Sequence, residues 1–560
     1  MSGRFGKTRG AALLIILLCA ALLAQTAYAE GNNGDSADKN VWLRETADRI
    51  IAWRNAQGNF ADEAGSSEGD WFALGTGRLG VTEDYRAYRK KITRYVEEKY
   101  KTAGLLDKDN ATEWHRISVA LLAAGGDPIH AGTAEDGSEI NLIADGVYDR
   151  GATAPLGAQG TNGLIWGLIA VDAMRYKIPA DASMGRADII CAILSSQMPD
   201  GSFSLDGSGG NIDITAMALT ALAPYYNSEE RFAVTAADGT ARSVRVRDAA
   251  DRALAYLAQQ QGADGGFTSW GDANSESAAQ VIVALCAVGI DPDEDARFIK
   301  NGVSVLDVLL DFEMPDGGFA HVKEQGPDSM AGEHALRAIV SVLRLRENRR
   351  GLFDFRAEIS SGVKAAITEL ENGIALLSRK TGESGRETVT ALFDAYKRVP
   401  PEERSYVFTY HILADAMEQL KIKNDSEALS AHMDLNDDGR GAIIDVISGK
   451  DLRLDLDKSD AAAEAAEKEV AAINTGVLNE LYPFDEIGFG DRKTLRGYLQ
   501  RIEKLDEKYR GEITGYAELT AASKKLDRLP LVIGAVAVAV AFALAIIILL
   551  IKRRKPAHEI

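Results

Sequence analysis

Three short loops recur in this chain, and each joins the end of one helical pattern to the start of another. They read Gln197-Met-Pro-Asp200-Gly201-Ser202-Phe203, Gln261-Gly-Ala-Asp264-Gly265-Gly266-Phe267 and Glu313-Met-Pro-Asp316-Gly317-Gly318-Phe319. Their aspartates lie 64 and 52 positions apart. A period of that size marks a chain built from repeated supersecondary units. The glycine permits a left-handed turn after a helix, and the aspartate can accept local backbone N–H bonds there. The phenylalanine is expected to plug the space between neighbouring helices.

Around these loops the helical patterns alternate between two kinds. Amphipathic segments run over Val41–Gln57, Thr82–Thr102, Ala182–Gln197, Val244–Gln261 and Val303–Glu313. Segments apolar on most faces run over Trp71–Leu79, Trp114–Ala124, Gly163–Ala173, Thr215–Tyr225, Ser277–Val288 and Gly332–Leu343. A helix apolar all round belongs in an interior, and an amphipathic one belongs outside. A sixth outer segment near Ile140–Tyr148 is short and interrupted by Gly146. Six outer/inner pairs predict an all-α fold, an α6/α6 toroid over residues 40–346.

The loops resemble the QxxDGxW/F repeats of the terpenoid cyclase and protein prenyltransferase superfamily, the prenyltransferase/squalene oxidase repeat. Gly210-Asn211-Ile212-Asp213-Ile214-Thr215-Ala216 is similar to the DxDDTA signature of class II terpene cyclases. The resemblance covers a little over half the chain. It implies the toroid, which that superfamily shares with cobalamin carriers, complement thioester domains and many bacterial surface proteins. It implies further that Asp213, in register with the middle carboxylate of DxDD, would be the proton donor if the chain were a cyclase. That chemistry needs an acid polarised by carboxylate neighbours, and here Asn211 and Ile214 stand where those acids belong. An aspartate at a helix start is also a natural cap, and capping accounts for Asp213, Asn274 and Ser329. The Asp, Cys and His set of the prenyltransferase zinc site is not assembled by the sequence, and His115, His321 and His334 are isolated in it.

Residues 350–530 differ in character, being charged, Ala-rich and poor in aromatics. Apolar positions repeat there at an offset of 106, as in Val389/Leu495, Tyr396/Ile502, Tyr410/Tyr516, Leu413/Leu519 and Leu420/Leu526. This predicts two small helical bundles, over 350–425 and 461–530, which resemble the stalk modules of bacterial surface proteins. Between them, within 430–460, Asp434-Leu-Asn436-Asp-Asp438-Gly439-Arg440-Gly-Ala-Ile-Ile-Asp445 spaces oxygen ligands as a calcium loop does. Asp434, Asn436, Asp438 and Asp445 would offer side chains and Arg440 its carbonyl. The pattern resembles EF-hand and dockerin loops, with Asp in place of Glu at the last position. A solvated acidic turn is the alternative.

Both ends read as targeting segments. Arg4, Lys7 and Arg9, the apolar run Ala11–Leu23 and Ala27-Tyr28-Ala29 form a signal peptide over 1–29. Leu531–Ile551 is uncharged and about 30 Å long as a helix, enough to span a bilayer. Lys552, Arg553, Arg554 and Lys555 place a basic tail, 552–560, in the cytoplasm. The expected protein is secreted and anchored to the membrane by one C-terminal transmembrane helix, with its ectodomain outside. Net charge is −20, and removing leader and tail, each of charge +3, leaves −26 on residues 30–530. Such a surface argues against nucleic acid as partner. Cys191 and Cys286 lie in apolar runs and read as buried free thiols.

Inner-helix starts carry polar and aromatic residues that a toroid would gather at one rim. Trp71, Trp114, Asn162, Asp213, Glu276 and Glu333 are the candidate ligand-binding residues, although both tryptophans also suit a core. The favoured expectation is a non-catalytic binding protein for a small molecule, cell-wall fragment or protein. A terpene-cyclase-like or other toroid enzyme is the alternative, and a structural envelope protein a further one.

Overall fold

The computed structural model describes residues 39–81, 83–235, 239–269, 271–377, 382–424, 456–484 and 487–526. The expected signal peptide, transmembrane segment 531–551, cytoplasmic tail and calcium loop with Asp434, Asn436, Asp438, Arg440 and Asp445 lie outside them. Among the described residues no helix is long and apolar enough to cross a membrane. These residues are mostly helical and fall into two compact units. The first holds those up to 78 and from 85 to 424; the second holds those of 79–84 and from 456 onward.

In the first unit the inner and outer segments alternate. Helix α1 spans 39–57. It is followed by α2 (Ser67–Leu79), α3 (Tyr85–Ala103), α4 (Thr112–Ala123), α5 (Thr161–Asp172), α6 (Arg186–Ser195), α7 (Ile212–Leu222), α8 (Val246–Gln260), α9 (Ser275–Ala287), α10 (Val305–Leu310) and α11 (Ser329–Arg346). The six apolar segments are α2, α4, α5, α7, α9 and α11. Helix α4 packs on α5, α5 on α7, α7 on α9 and α9 on α11. Gly75 of α2 faces Leu336 of α11, and Gly77 faces Ala123 of α4, so α2 touches both ends of that series. Helix α3 lies against the inner helix that follows it, α4, whereas α6, α8 and α10 each lie against the inner helix that precedes them, α5, α7 and α9.

The weak outer segment near 140–148 forms only a short π-helical turn, Ala144–Tyr148. Its interruption has a cause: a Cβ on Gly146 would stand 2.6 Å from Cβ of Trp114. The backbone there moves in close enough for His115 Nε2 to donate to the Gly146 carbonyl at 2.8 Å. Burial lowers the His115 pKa to about 3, so the ring is neutral.

An all-α reading omits four short antiparallel pairs. These are β1 (Phe203–Ser204) with β2 (Gly210–Asn211), β3 (Arg231–Thr235) with β4 (Ala241–Arg245), β5 (Thr268–Ser269) with β6 (Asp272–Ala273), and β7 (Ile299–Lys300) with β8 (Val303–Ser304). Two of them, β1–β2 and β5–β6, link a repeat loop to the next inner helix.

The three loops share one construction. Gly201, Gly265 and Gly317 have φ of +96°, +87° and +88°, where a side chain is strained. Asp200, Asp264 and Asp316 each accept the backbone N–H two residues on, at 3.0 to 3.1 Å. Phe203, Phe267 and Phe319 are fully buried. Gln197 and Gln261 each donate to their own loop glycine and to a carbonyl of the next repeat, Ala249 or Phe298. In the third loop Glu313 instead accepts from Arg49 of α1, tying the last loop to the first helix.

Residues 350–424 belong to the same unit. Helices α12 (Ser361–Ala375), α13 (Arg386–Arg398) and α14 (Tyr410–Gln419) bury Val389, Tyr396, Tyr410, Leu413 and Leu420. The segment before them is anchored on the inner helices: Phe355 N donates to Ala173 O at 2.8 Å, and Arg78 donates to Gly351 O and Asp354 O. The second unit repeats the bundle with α15 (Leu456–Glu480), α16 (Arg492–Glu503), the single turn α17 (Glu507–Arg510) and α18 over 516–526. It buries Leu495, Ile502, Leu519 and Leu526. Helix α16 starts 106 residues after α13, the offset of the sequence repeat.

Candidate functional site

The N-termini of α7, α9 and α11 frame a cavity of about 330 Å³ lined by Asp213, Ser269, Asp272, Asn274, Glu276, Gln280, His321, Met330 and His334. Helix geometry explains the set. Asn211, Asn274 and Asp328 are the N-caps, accepting from Ile214 N, Ser277 N and Ala331 N at 2.8 to 3.0 Å. Asp213, Glu276 and Met330 are therefore the second residue of their helices. Gln280 and His334 come four residues later, one turn deeper on the same face. Neither Asp213 nor Ser329 caps its helix, because the preceding Asn211 and Asp328 already satisfy the free N–H groups that capping serves.

The carboxylates are paired by the repeat itself. Ser269 Oγ donates to Asp213 Oδ2 at 3.0 Å. His321 Nδ1 lies 2.7 Å from Glu276 Oε2, and since a carboxylate only accepts, Nδ1 carries the proton. Ser269 and His321 each stand two residues beyond a loop phenylalanine, so both pairs join this loop position to the second residue of the preceding inner helix. The backbone keeps the same register: Thr161 N donates to Leu205 O at 2.9 Å, and Ser275 N to His321 O at 3.1 Å. One repeat earlier that loop position is Leu205, and Asn162 is left with a buried Oδ1 that has no partner among the described residues.

Asp213 Oδ1 and Glu276 Oε1 are likewise buried without a partner among the described residues. His334 Nδ1 donates to Met330 O at 2.8 Å, which leaves Nε2 to accept from Gln280 at 3.5 Å. Burial, reinforced by the Arg337 charge, holds His334 well below its ordinary pKa. Of the described residues lining the cavity, none is lysine or arginine. No group of three or more His, Cys, Asp or Glu side chains among the described residues is placed to hold a metal ion.

Glu333 lies on α11, 4 % exposed, with Oε2 unpartnered among the described residues. Burial raises its carboxyl well above the ordinary range, although the Arg337 charge opposes this. The Arg337 guanidinium stacks on Trp71 at 4.5 Å. Trp71 meets Trp166 at 5.0 Å, and Trp166 meets Phe353 edge-on at 5.5 Å. This column runs between α2, α5 and α11 to the segment that precedes the first bundle. A second cavity, of about 100 Å³, lies beside Phe353, Cys286 and Tyr406 at the C-terminal ends of the inner helices. Trp114 is core: it is 1 % exposed, and its indole N–H donates to Tyr100 Oη at 2.9 Å. Asp70 is buried too, accepting from Tyr88 Oη at 2.6 Å and Arg116 Nε at 2.9 Å.

Of the six sequence candidates, Asp213 and Glu276 thus share one cavity, while Trp71 and Glu333 sit at the Arg337 column. Asn162 stands one turn from Trp166, and Trp114 is apart from all of these. His321, His334, Ser269 and Gln280 were not among the candidates, because each is isolated in its own stretch of sequence. Superposing the repeats on their phenylalanines would have exposed the Ser269 and His321 position.

Part of the chain is similar to a drimenyl diphosphate synthase of Streptomyces showdoensis, a terpene cyclase, with 31 % identity over 152 residues. Those residues are 27 % of this chain and 26 % of that protein, so the chain matches about a quarter of the relative's length. No family model matches the chain.

Proposed function

We propose that this protein is a membrane-anchored extracellular binding protein whose alternating inner and outer segments form an α6/α6 toroid of the terpenoid cyclase type. Its ligand site is the cavity at the N-termini of α7, α9 and α11. The observation that carries this reading is the pair of carboxylates lining that cavity, Asp213 and Glu276, each with one buried oxygen that has no donor among the described residues. Unmet acceptors at a concave mouth favour a ligand that completes them. The ring interior favours binding over cyclisation as well. An isoprenoid chain needs an apolar chamber, and the column of Arg337, Trp71, Trp166 and Phe353 stands between the inner helices. The helical bundles act as the spacer that holds the toroid off the membrane, and calcium held by residues 434–445 would brace the connection between them.

Thermal unfolding of the purified protein against a panel of metabolites and cell-wall fragments tests the binding reading. At least one compound raises the melting temperature, and this rise is lost in Glu276→Gln. A flat response to the whole panel removes the proposal.

A second reading, a terpene-cyclase-like enzyme, is favoured by one observation besides the partial likeness. Asp213 is not a cap, and it lines the cavity while its buried Oδ1 has no partner among the described residues. On that reading Asp213→Asn abolishes turnover of an isoprenoid diphosphate, and unchanged product formation excludes Asp213 as the acid.

A further inference from the structure

We infer that the mouth cavity takes its ligand through an ammonium or similar cationic N–H group, and not through a phosphate or carboxylate. This rests on the reading of the cavity as a binding site. Its walls offer acceptors and almost no spare donors. The Ser269 hydroxyl is spent on Asp213, and Asn274 Nδ2 is spent on the carbonyls of Ser269 and Asp272. His321 Nδ1–H is spent on Glu276, and His334 Nδ1–H on the Met330 carbonyl.

What remains is acceptor capacity. Asp213 Oδ1 and Glu276 Oε1 have no donor among the described residues. Asp272 adds a third carboxylate to the wall, and no arginine or lysine lines it. The half-buried His334 imidazole, held well below its ordinary pKa by desolvation and the Arg337 charge, stays neutral and adds no compensating charge. A diphosphate brought here would meet three carboxylates without a cation. An ammonium group would find charge-assisted acceptors, the stronger class of hydrogen bond. The two unpartnered oxygens are enclosed as they stand, and a ligand reaches them only by turning the terminal carboxylate torsion, which is soft. At about 330 Å³ the space suits a ligand of monosaccharide or amino-acid size.

The test uses the full-length protein in detergent and isothermal titration with three amines, glucosamine, lysine and putrescine, each beside its N-acetyl form, with glucose 6-phosphate as the anion. At least one amine should bind about tenfold or more tighter than its acetylated partner, and Asp213→Asn and Glu276→Gln should each weaken it by about tenfold. Melting temperatures of both variants within a few degrees of the parent show that they are folded. If an acetylated form or glucose 6-phosphate binds as tightly as the amines, the cationic assignment fails while the binding reading stands. If none of the amines binds, the assignment also fails, and the wider panel alone then decides whether the cavity binds anything.

Discussion

Single residues in the repeat loops act as links between neighbouring repeats as well as turn formers. Gln261 Nε2 donates at 2.8 Å both to Gly265 O in its own loop and to Phe298 O beyond α9. Replacing it with alanine strands two buried carbonyls, and an unsatisfied buried group costs about 1–3 kcal/mol. Gln261→Ala should therefore lose about 2–4 kcal/mol in denaturant unfolding, and a loss below about 0.5 kcal/mol would show that water replaces the amide there. The aspartate, glycine and phenylalanine roles were legible from the loop sequences because each depends on backbone a few residues away. The glutamine role was not, because its second acceptor lies 37 positions on.

At the level of the element, the start of each inner helix separates capping from site chemistry. Asn274 caps α9 and also holds the Ser269 and Asp272 carbonyls, so it fixes the turn that forms one cavity wall. Asp213 does neither for α7, where Asn211 is the cap. Asn274→Ala should therefore destabilise the protein by about 1–2 kcal/mol, while Asp213→Ala stays within about 0.5 kcal/mol of the parent. Equal losses by thermal or denaturant melting would return Asp213 to a structural role. Two residues of offset decide the matter: position two turns its side chain to the cavity, whereas a cap turns its own back onto the helix N–H groups. Sequence locates a helix start only to within a residue or two, and on sequence alone the cap is the favoured reading of Asp213.

Across the first unit, the bundle of α12 to α14 is joined to the inner helices by buried ion pairs. Arg350 grips Glu403 through both guanidinium nitrogens at 2.6 and 2.8 Å, and Asn227 donates to the Arg404 and Val407 carbonyls. Glu358 is held between Arg344 and Arg350 N. Burial pushes the Glu358 carboxyl up, but the Arg344 charge and that N–H outweigh it and bring it down to about 2 from 4.5. Arg356 and Arg350 overcome burial in the same way at Asp354, far below the ordinary range. A depressed carboxylate stabilises the fold above its unfolded pKa and ceases to do so as pH falls through the folded value. Melting temperature should thus fall between pH 4.5 and 2, and in Glu358→Gln it should fall less steeply, having begun lower at pH 7. Parallel curves for the two proteins would place the acid sensitivity elsewhere. At this scale the first bundle is part of the compact unit that contains the candidate site, a grouping its sequence alone does not show.

By itself the sequence determined the alternation of apolar and amphipathic helices, the left-handed glycines and the pairing of the two bundles at an offset of 106. All of these follow from periodicity and local backbone chemistry, which are written in consecutive residues. Tertiary structure alone decided that His321 meets Glu276, that Ser269 meets Asp213, and that an arginine and three aromatic rings stand in line between the inner helices. Those contacts join residues 45 or more positions apart. They depend on how far each loop advances before the next helix begins, a register that the hydrophobic pattern of any single repeat leaves open.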